Sequence, residues 1–298
     1  MLQKLYKQPN ENIIANMYIS QKPIISLEVF PPKENFETKM EELLQELSIL
    51  KKFNPSLISV TYGAGGSTQD NSFALAKKIK EEIKVEVMPH FTCVGISQEN
   101  IEKHLNQIEN AGFKNILALR GDIPQNQSDF SFDPNFQHAS DLVKFIKERT
   151  KLSVGVAGYP EGHKEAVSLD EDIKNLKIKV DCGAEAIFTQ VFFDNTHFFR
   201  FVEKAQLAGI NIPIIPGILA ITNPNQIQKM AQMCGCQIPK GLLEQLERHQ
   251  DDKEAIKQIG IEFATYQCQQ LSDAKVKGIH FYTLNKASST EKILENLL

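Results

Sequence analysis

The chain has 298 residues, 42% of them hydrophobic, with 33 basic and 37 acidic residues and a formal net charge of −4. That content suffices for one large core, while a balanced charge without a basic block argues against broad nucleic-acid binding, which needs clustered Lys and Arg. No apolar run approaches the roughly 18 residues of a membrane span, and the opening MLQKLYKQPNENIIANMYISQKP has no signal-peptide core, so a cytoplasmic protein without a membrane partner is expected.

Residues 1–22 read as a polar, partly helical lead-in, followed by a single domain over 23–298. Eight short apolar runs rich in β-branched residues then recur at helix-plus-strand spacing. They are IISLEVF (24–30), LISVTYG (57–63), VEVMPHFTC (85–93), NILALRGD (115–122), SVGVAGYP (153–160), AIFTQVFF (186–193), IPIIPGIL (212–219) and GIHFYTL (278–284). Strands alternating with helical patterns predict right-handed βαβ units. Eight of them predict a single-domain (β/α)8 TIM-type barrel, whose chemistry sits at the C-terminal strand ends. Polar clusters fall there: Glu28, Thr61 with Tyr62, His90 with Thr92, Arg120-Gly121-Asp122, Tyr159, Gln190 and Tyr282.

Helical periodicity fills most of the intervals. The stretch 37–53 carries Met40, Leu43, Leu44, Leu47 and Leu50 on one face, and 68–83, 97–112, 139–150 and 170–183 follow. Ser97 and Ser140 are candidate N-caps, and Gly183 a candidate C-terminal stop. Two connections are long. Residues 123–138 lack helical period and are read as a lid or cofactor cover at the catalytic rim. Residues 220–277 hold two or three helices, including 253–273.

Glu28 is the sharpest single residue. Strand alternation puts Ser26, Glu28 and Phe30 on one face and Leu27 and Val29 on the other. An acid facing the barrel interior is expected to have a raised pKa, suited to donating a proton, although a structural ion pair fits the position equally. Arg120-Gly121-Asp122 offers a phosphate donor, a close backbone approach and an acceptor for heterocycle N–H groups, or an internal Arg–Asp pair. Asp172, Asn175 and Lys179 share one helix face and suit a ribose and diphosphate, or else a solvated surface. His90 is more simply a hydrogen-bonded packing residue than a metal ligand. The five cysteines form no CxxC pair, and no HExxH or acidic cluster is present, so no metal is expected. Neither GxGxxG nor GxxxxGK[ST] occurs, and no nucleophile elbow supports acyl transfer. Paired carboxylates for sugar hydrolysis would have to come from Glu28, Asp122 and Glu161.

Taken together, LEVFPP, SVTYGAGG, PHFTC, ALRGD, AGYPEGH, the D-x-x-N-x-x-x-K helix, TQVFFD, IIPGIL and HFYTLN resemble methylenetetrahydrofolate reductases of the short bacterial type over residues 20–296. The resemblance implies non-covalent FAD, reduced by NADH or NADPH. The flavin then passes a hydride to 5,10-methylenetetrahydrofolate, giving 5-methyltetrahydrofolate for methionine synthesis by ping-pong kinetics. It implies that Glu28 is the general acid and that Asp122 tunes the flavin and orients the folate. Thr61, Tyr62, Ala64, His90, Arg120, Gly121, Asp122, Ala139, Tyr159, His163, Asp172, Asn175 and Lys179 match FAD contacts. Gln190 and Gln226 match folate contacts, with Met230, Tyr282 and Lys286 lining the same pocket.

Met230, Lys286, His138 and Ile178 depart from the bacterial pattern. Lys286 keeps the charge of an expected Arg but loses its fork. The family further implies a homo-oligomer, and no feedback control through the additional C-terminal domain of animal relatives. Rival readings are another flavin barrel oxidoreductase, a non-catalytic flavin- or folate-binding subunit, and a flavoprotein fed electrons by a partner protein.

Overall fold

A computed structural model describes residues 13–18, 23–62, 67–122 and 133–298, with backbone alone at 67–69 and 224–226. The eight apolar runs become β1 (Ile24–Val29), β2 (Leu57–Val60), β3 (Glu86–Thr92), β4 (Asn115–Leu119), β5 (Ser153–Gly158), β6 (Ala186–Val191), β7 (Ile214–Ile218) and β8 (Gly278–Tyr282). They pair in parallel and in chain order, and β1 closes on β8 to complete the barrel. Around it lie α2 (Phe36–Leu50), α3 (Ser67–Lys78), α4 (Gln98–Asn110), α5 (Ala139–Arg149), α6 (Leu169–Asp181) and α7 (Asn195–Leu207). The long final connection holds α8 (Pro224–Cys234), α9 (Lys240–Arg248) and α10 (Lys253–Asp273), and α11 (Ala287–Leu297) follows β8.

Strand alternation divides the buried residues into separate apolar clusters. Leu27 and Val29 face outward and pack in one large layer with Leu43, Leu44, Leu47 and Leu50 of α2 and the inner faces of α3 to α7. Inside the lower barrel, Leu57, Met88, Leu117, Phe188 and Ile215 form a second cluster. A short helix, α1 (Ile14–Met17), closes its base: Ile14 N–H donates to Asn115 Oδ1 at 2.8 Å, and Ile14 and Tyr18 are wholly buried. The end of the expected polar lead-in is therefore part of the core. A third cluster joins Val191, Phe193, Leu219 and Ile221 at the rim to Ile227 and Ala231 of α8, Leu242 and Leu246 of α9, and Ile256 of α10.

Capping largely follows the sequence. Ser97 Oγ accepts from Asn100 N–H, and Gly183 ends α6 with φ +112°. For α5 the cap lies two residues earlier than expected. His138 is the N-cap, and Asp141 Oδ2 accepts from the N–H groups of His138 (2.8 Å) and Gln137 (3.0 Å). A carboxylate reaching back satisfies two helix-start donors, which a Ser140 already inside the first turn cannot do. Of the expected lid, 123–132 lie outside the described residues. Its end is anchored by Phe136, packed on Phe145 with ring centroids 5.1 Å apart.

Candidate active site

Glu28 projects into the upper barrel, as alternation requires, and is only 6% exposed. Three strands supply its partners. Ser59 Oγ of β2 donates to Glu28 Oε2 at 3.3 Å, and His280 Nε2 of β8 lies 3.4 Å from the same oxygen. His90 Nε2 of β3 also stands 3.4 Å away, without hydrogen-bond geometry to any described residue. The expectation of a raised pKa is corrected here. Burial is the largest influence and does raise it. However, the His280 hydrogen bond, the electrostatic influence of the His90 and His280 rings, and the Ser59 hydroxyl together hold the carboxyl below its ordinary value. His90 itself is pushed down to about 4 by burial.

The cluster continues downward. His280 Nδ1 lies 2.9 Å from Ser26 Oγ, and Tyr18 OH donates to that oxygen at 3.3 Å. The two imidazole nitrogens thus face a hydroxyl and a carboxyl. With Glu28 ionised, Nε2–H donates to it while Ser26 donates to Nδ1. With Glu28 protonated, the opposite tautomer fits, and Ser26 turns its hydrogen to the Ile279 carbonyl, 3.5 Å away. The site can hold either state of Glu28 without an unpaired polar atom on His280.

A second feature is a cleft of about 560 Å³ over the ends of β4 and β5, walled by α5 and α6. It brings together Arg120, Gly121, Asp122, Ala139, Tyr159, His163, Asp172, Asn175 and Lys179, residues drawn from four separated segments. The solvated-face alternative fails for Asp172, which is 7% exposed and accepts from His163 N–H at 3.2 Å, while Asn175 of the same stripe is exposed at the cleft edge. Lys179 donates to the Ala157 carbonyl at 2.7 Å and is pushed down to about 8 by burial, with Asp172 opposing. Burial pushes the Tyr159 phenol, packed 4.6 Å from the His163 ring, up to about 12. Arg120 pairs with Glu165 through both terminal nitrogens at 2.7 Å, not with Asp122. Asp122 is exposed at the rim, 3.7 Å from Lys164.

Other expected contacts divide. Thr61 closes β2 at the same rim, and its carbonyl accepts from Ser72 Oγ at 3.0 Å. The Tyr62 ring packs onto Phe91, 5.7 Å away, against the outer apolar layer. Gln190 sits at an irregularity in the β6–β7 pairing, its Oε1 accepting from Val191 N–H at 2.8 Å. Tyr282 donates to the Thr189 carbonyl at 2.9 Å and borders the third apolar cluster together with Met230. Lys286 does not join the site; it is largely exposed and paired with Glu46 at 3.2 Å. Ala64 and the side chain of Gln226 lie outside the described residues.

Residues 13–298 match the methylenetetrahydrofolate reductase family. The chain belongs to that family. It is 38% identical to the 5,10-methylenetetrahydrofolate reductase of Escherichia coli over 274 residues, covering 92% of this chain and 90% of that one. It is 39% identical to methylenetetrahydrofolate reductase (NADH) 1 of Arabidopsis thaliana over 284 residues, covering 91% of this chain and 48% of that one. The chain thus spans about half the length of the plant relatives it matches. Among solved structures, a Clostridium thermocellum protein described as binding two copies of 5-methyl-5,6,7,8-tetrahydrofolic acid has the same fold. It superposes with a TM-score of 0.68 at 13% identity, covering 95% of this chain and 97% of that one. Within this reductase-family barrel, the sequence reading passed over His280, Ser59 and Glu165. Ser59 and His280 carried a usable signal, since both occupy inward-facing positions on the strands that flank β1. Glu165 had none, because nothing local marks a loop carboxylate as the partner of an arginine 45 residues away.

Proposed function

We propose that this chain reduces 5,10-methylenetetrahydrofolate to 5-methyltetrahydrofolate with electrons from NADH or NADPH, using non-covalent FAD in ping-pong fashion. Family membership supports the reaction, and one observation carries the chemistry: a buried carboxyl, Glu28, backed by His280 and Ser59 at the mouth of the barrel.

The cleft fits the flavin's polar half. Lys179 offers an ammonium held by the Ala157 carbonyl, and Arg120 offers a guanidinium. These two would hold the diphosphate, Asp172 and Asn175 the hydroxylated chain, and Gly121 the close approach of a ring. The flavin, when bound, would supply a two-electron carrier able to accept and return hydride. The chain's own residues would do the rest. Gln190, Tyr282 and Met230 would orient the folate, with Gln226 as a further contact and Asp122 bonding its heterocycle. Glu28 would give the proton that opens the five-membered ring. A folate laid over Glu28 excludes water and strengthens the influence of burial, moving the carboxyl toward its protonated form. Cytoplasmic location and a homo-oligomer belong to the same reading.

The first test is the visible spectrum of the purified protein under anaerobic conditions before and after NADH, then after methylenetetrahydrofolate. We expect a flavin band that bleaches with NADH and returns with the folate. In Glu28→Gln the bleaching should persist, and reoxidation by folate should slow by roughly 10²- to 10⁴-fold. A flavin that NADH and NADPH both leave oxidised would favour a partner-protein donor, and a chain that takes up no FAD would defeat the reading.

A further inference from the structure

Glu161 is buried without a role in the scheme above. It follows Tyr159 in the turn after β5, with only 8% of its side chain exposed. Its carboxylate is engaged by the chain itself. Both oxygens accept from the N–H of Gln237, at 3.1 and 3.3 Å, and His197 Nε2 of α7 lies 3.8 Å away. Gln237 stands just beyond α8, after Cys236, which is buried in the third apolar cluster.

The placement of that bond matters because of how α8 is held. Ile227 and Ala231 pack α8 into the third cluster, which shares no residue with the main layer among the described residues. Apolar packing is non-directional and leaves such a unit free to slide along its seat. A charged acceptor on a backbone N–H is directional. It fixes the far end of α8 against the loop that bears Tyr159 and His163 of the cofactor cleft.

We propose that Glu161 is a positioning residue for the folate: it sets the spacing between α8, with Met230, and the cofactor-side wall at Tyr159. This rests on the assignment of folate to the α8 side of the mouth. The test is steady-state kinetics of wild type, Glu161→Ala, Glu161→Asp and Glu161→Gln, with flavin Kd titrated on each apoprotein and hydrogen exchange followed across α8.

Loss of one charged hydrogen bond should raise the KM for methylenetetrahydrofolate about tenfold in Glu161→Ala and Glu161→Asp. Their kcat and flavin Kd should stay within about twofold of wild type. Glu161→Gln, whose amide oxygen still reaches Gln237, should restore KM. If the alanine variant does not fold, the aspartate and glutamine pair decides. An unchanged KM in Glu161→Asp, or a flavin Kd rising in step with KM, overturns the proposal. Should wild type itself not reduce the folate, the functional reading fails separately. The tie is then judged by exchange alone: α8 should lose protection in Glu161→Asp and keep it in Glu161→Gln, and equal protection in both overturns it.

Discussion

Lys179 shows how burial turns an ordinary side chain into a pH-sensitive one. Its ammonium is pushed down to about 8 by burial. It is charged below that pH and loses its charge as pH rises through it. A bound diphosphate favours the charged form, so binding above pH 8 must take up a proton. Flavin Kd should therefore stay flat below about pH 8 and rise roughly tenfold per pH unit above it. In Lys179→Met the affinity should be lower and this slope absent; fluorescence titration of the apoprotein across pH 6.5 to 9.5 checks both. Glu28 shows where reading residues one at a time stops. Its direction followed from alternation, and its burial from facing into a barrel. Its charge state did not, because the groups that decide it come from β2, β3 and β8, 31 to 252 residues away. Ser26 and Glu28 could be placed on one face locally; that His280 meets both depended on barrel closure.

Elements were legible where a period ran long enough and illegible where tertiary contact set the terms. All eight strands sit within the apolar runs, trimmed at their polar ends because pairing stops where the rim opens. The polar stripe on α6 lines the cleft, a placement hidden in the sequence because a polar stripe reads the same whether it meets water or a polar cleft. The seating of α10 was equally invisible. Gly260 lies so close to the Ile221 backbone that a Cβ there would overlap the Ile221 carbonyl oxygen. Helix propensity alone favours Gly260→Ala by about 1 kcal/mol. Overpacking against a rigid carbonyl should outweigh that, leaving a net loss of about 1–3 kcal/mol. A urea midpoint lowered relative to wild type is the expected result, together with weaker folate binding, because Ile221 leads directly into α8. A midpoint that rises would mean the loop yields.

At the scale of the whole molecule, the barrel is closed at one end by α1 and functional at the other. Ile14 and Tyr18 fill the base, and Tyr18 also reaches Ser26 beneath His280. Replacing both by alanine should cost about 5 kcal/mol or more, since each large-to-small change in a packed core costs roughly 2–5 kcal/mol. Urea unfolding of the double variant measures it, and a loss near 1 kcal/mol would show that the base tolerates solvent. The helix was foreseen only as part of a polar lead-in, because four residues carry too little period to announce burial.

The partition of apolar residues bears on how the barrel could be re-engineered. The residues that would meet the electron acceptor ride on a cluster separate from the one beneath the cleft over β4 and β5. On the proposed function, substitutions there should alter what is recognised without unsettling the cleft that would hold the flavin. A laboratory library confined to α8 and α9 should therefore yield folded, flavin-loaded variants in abundance.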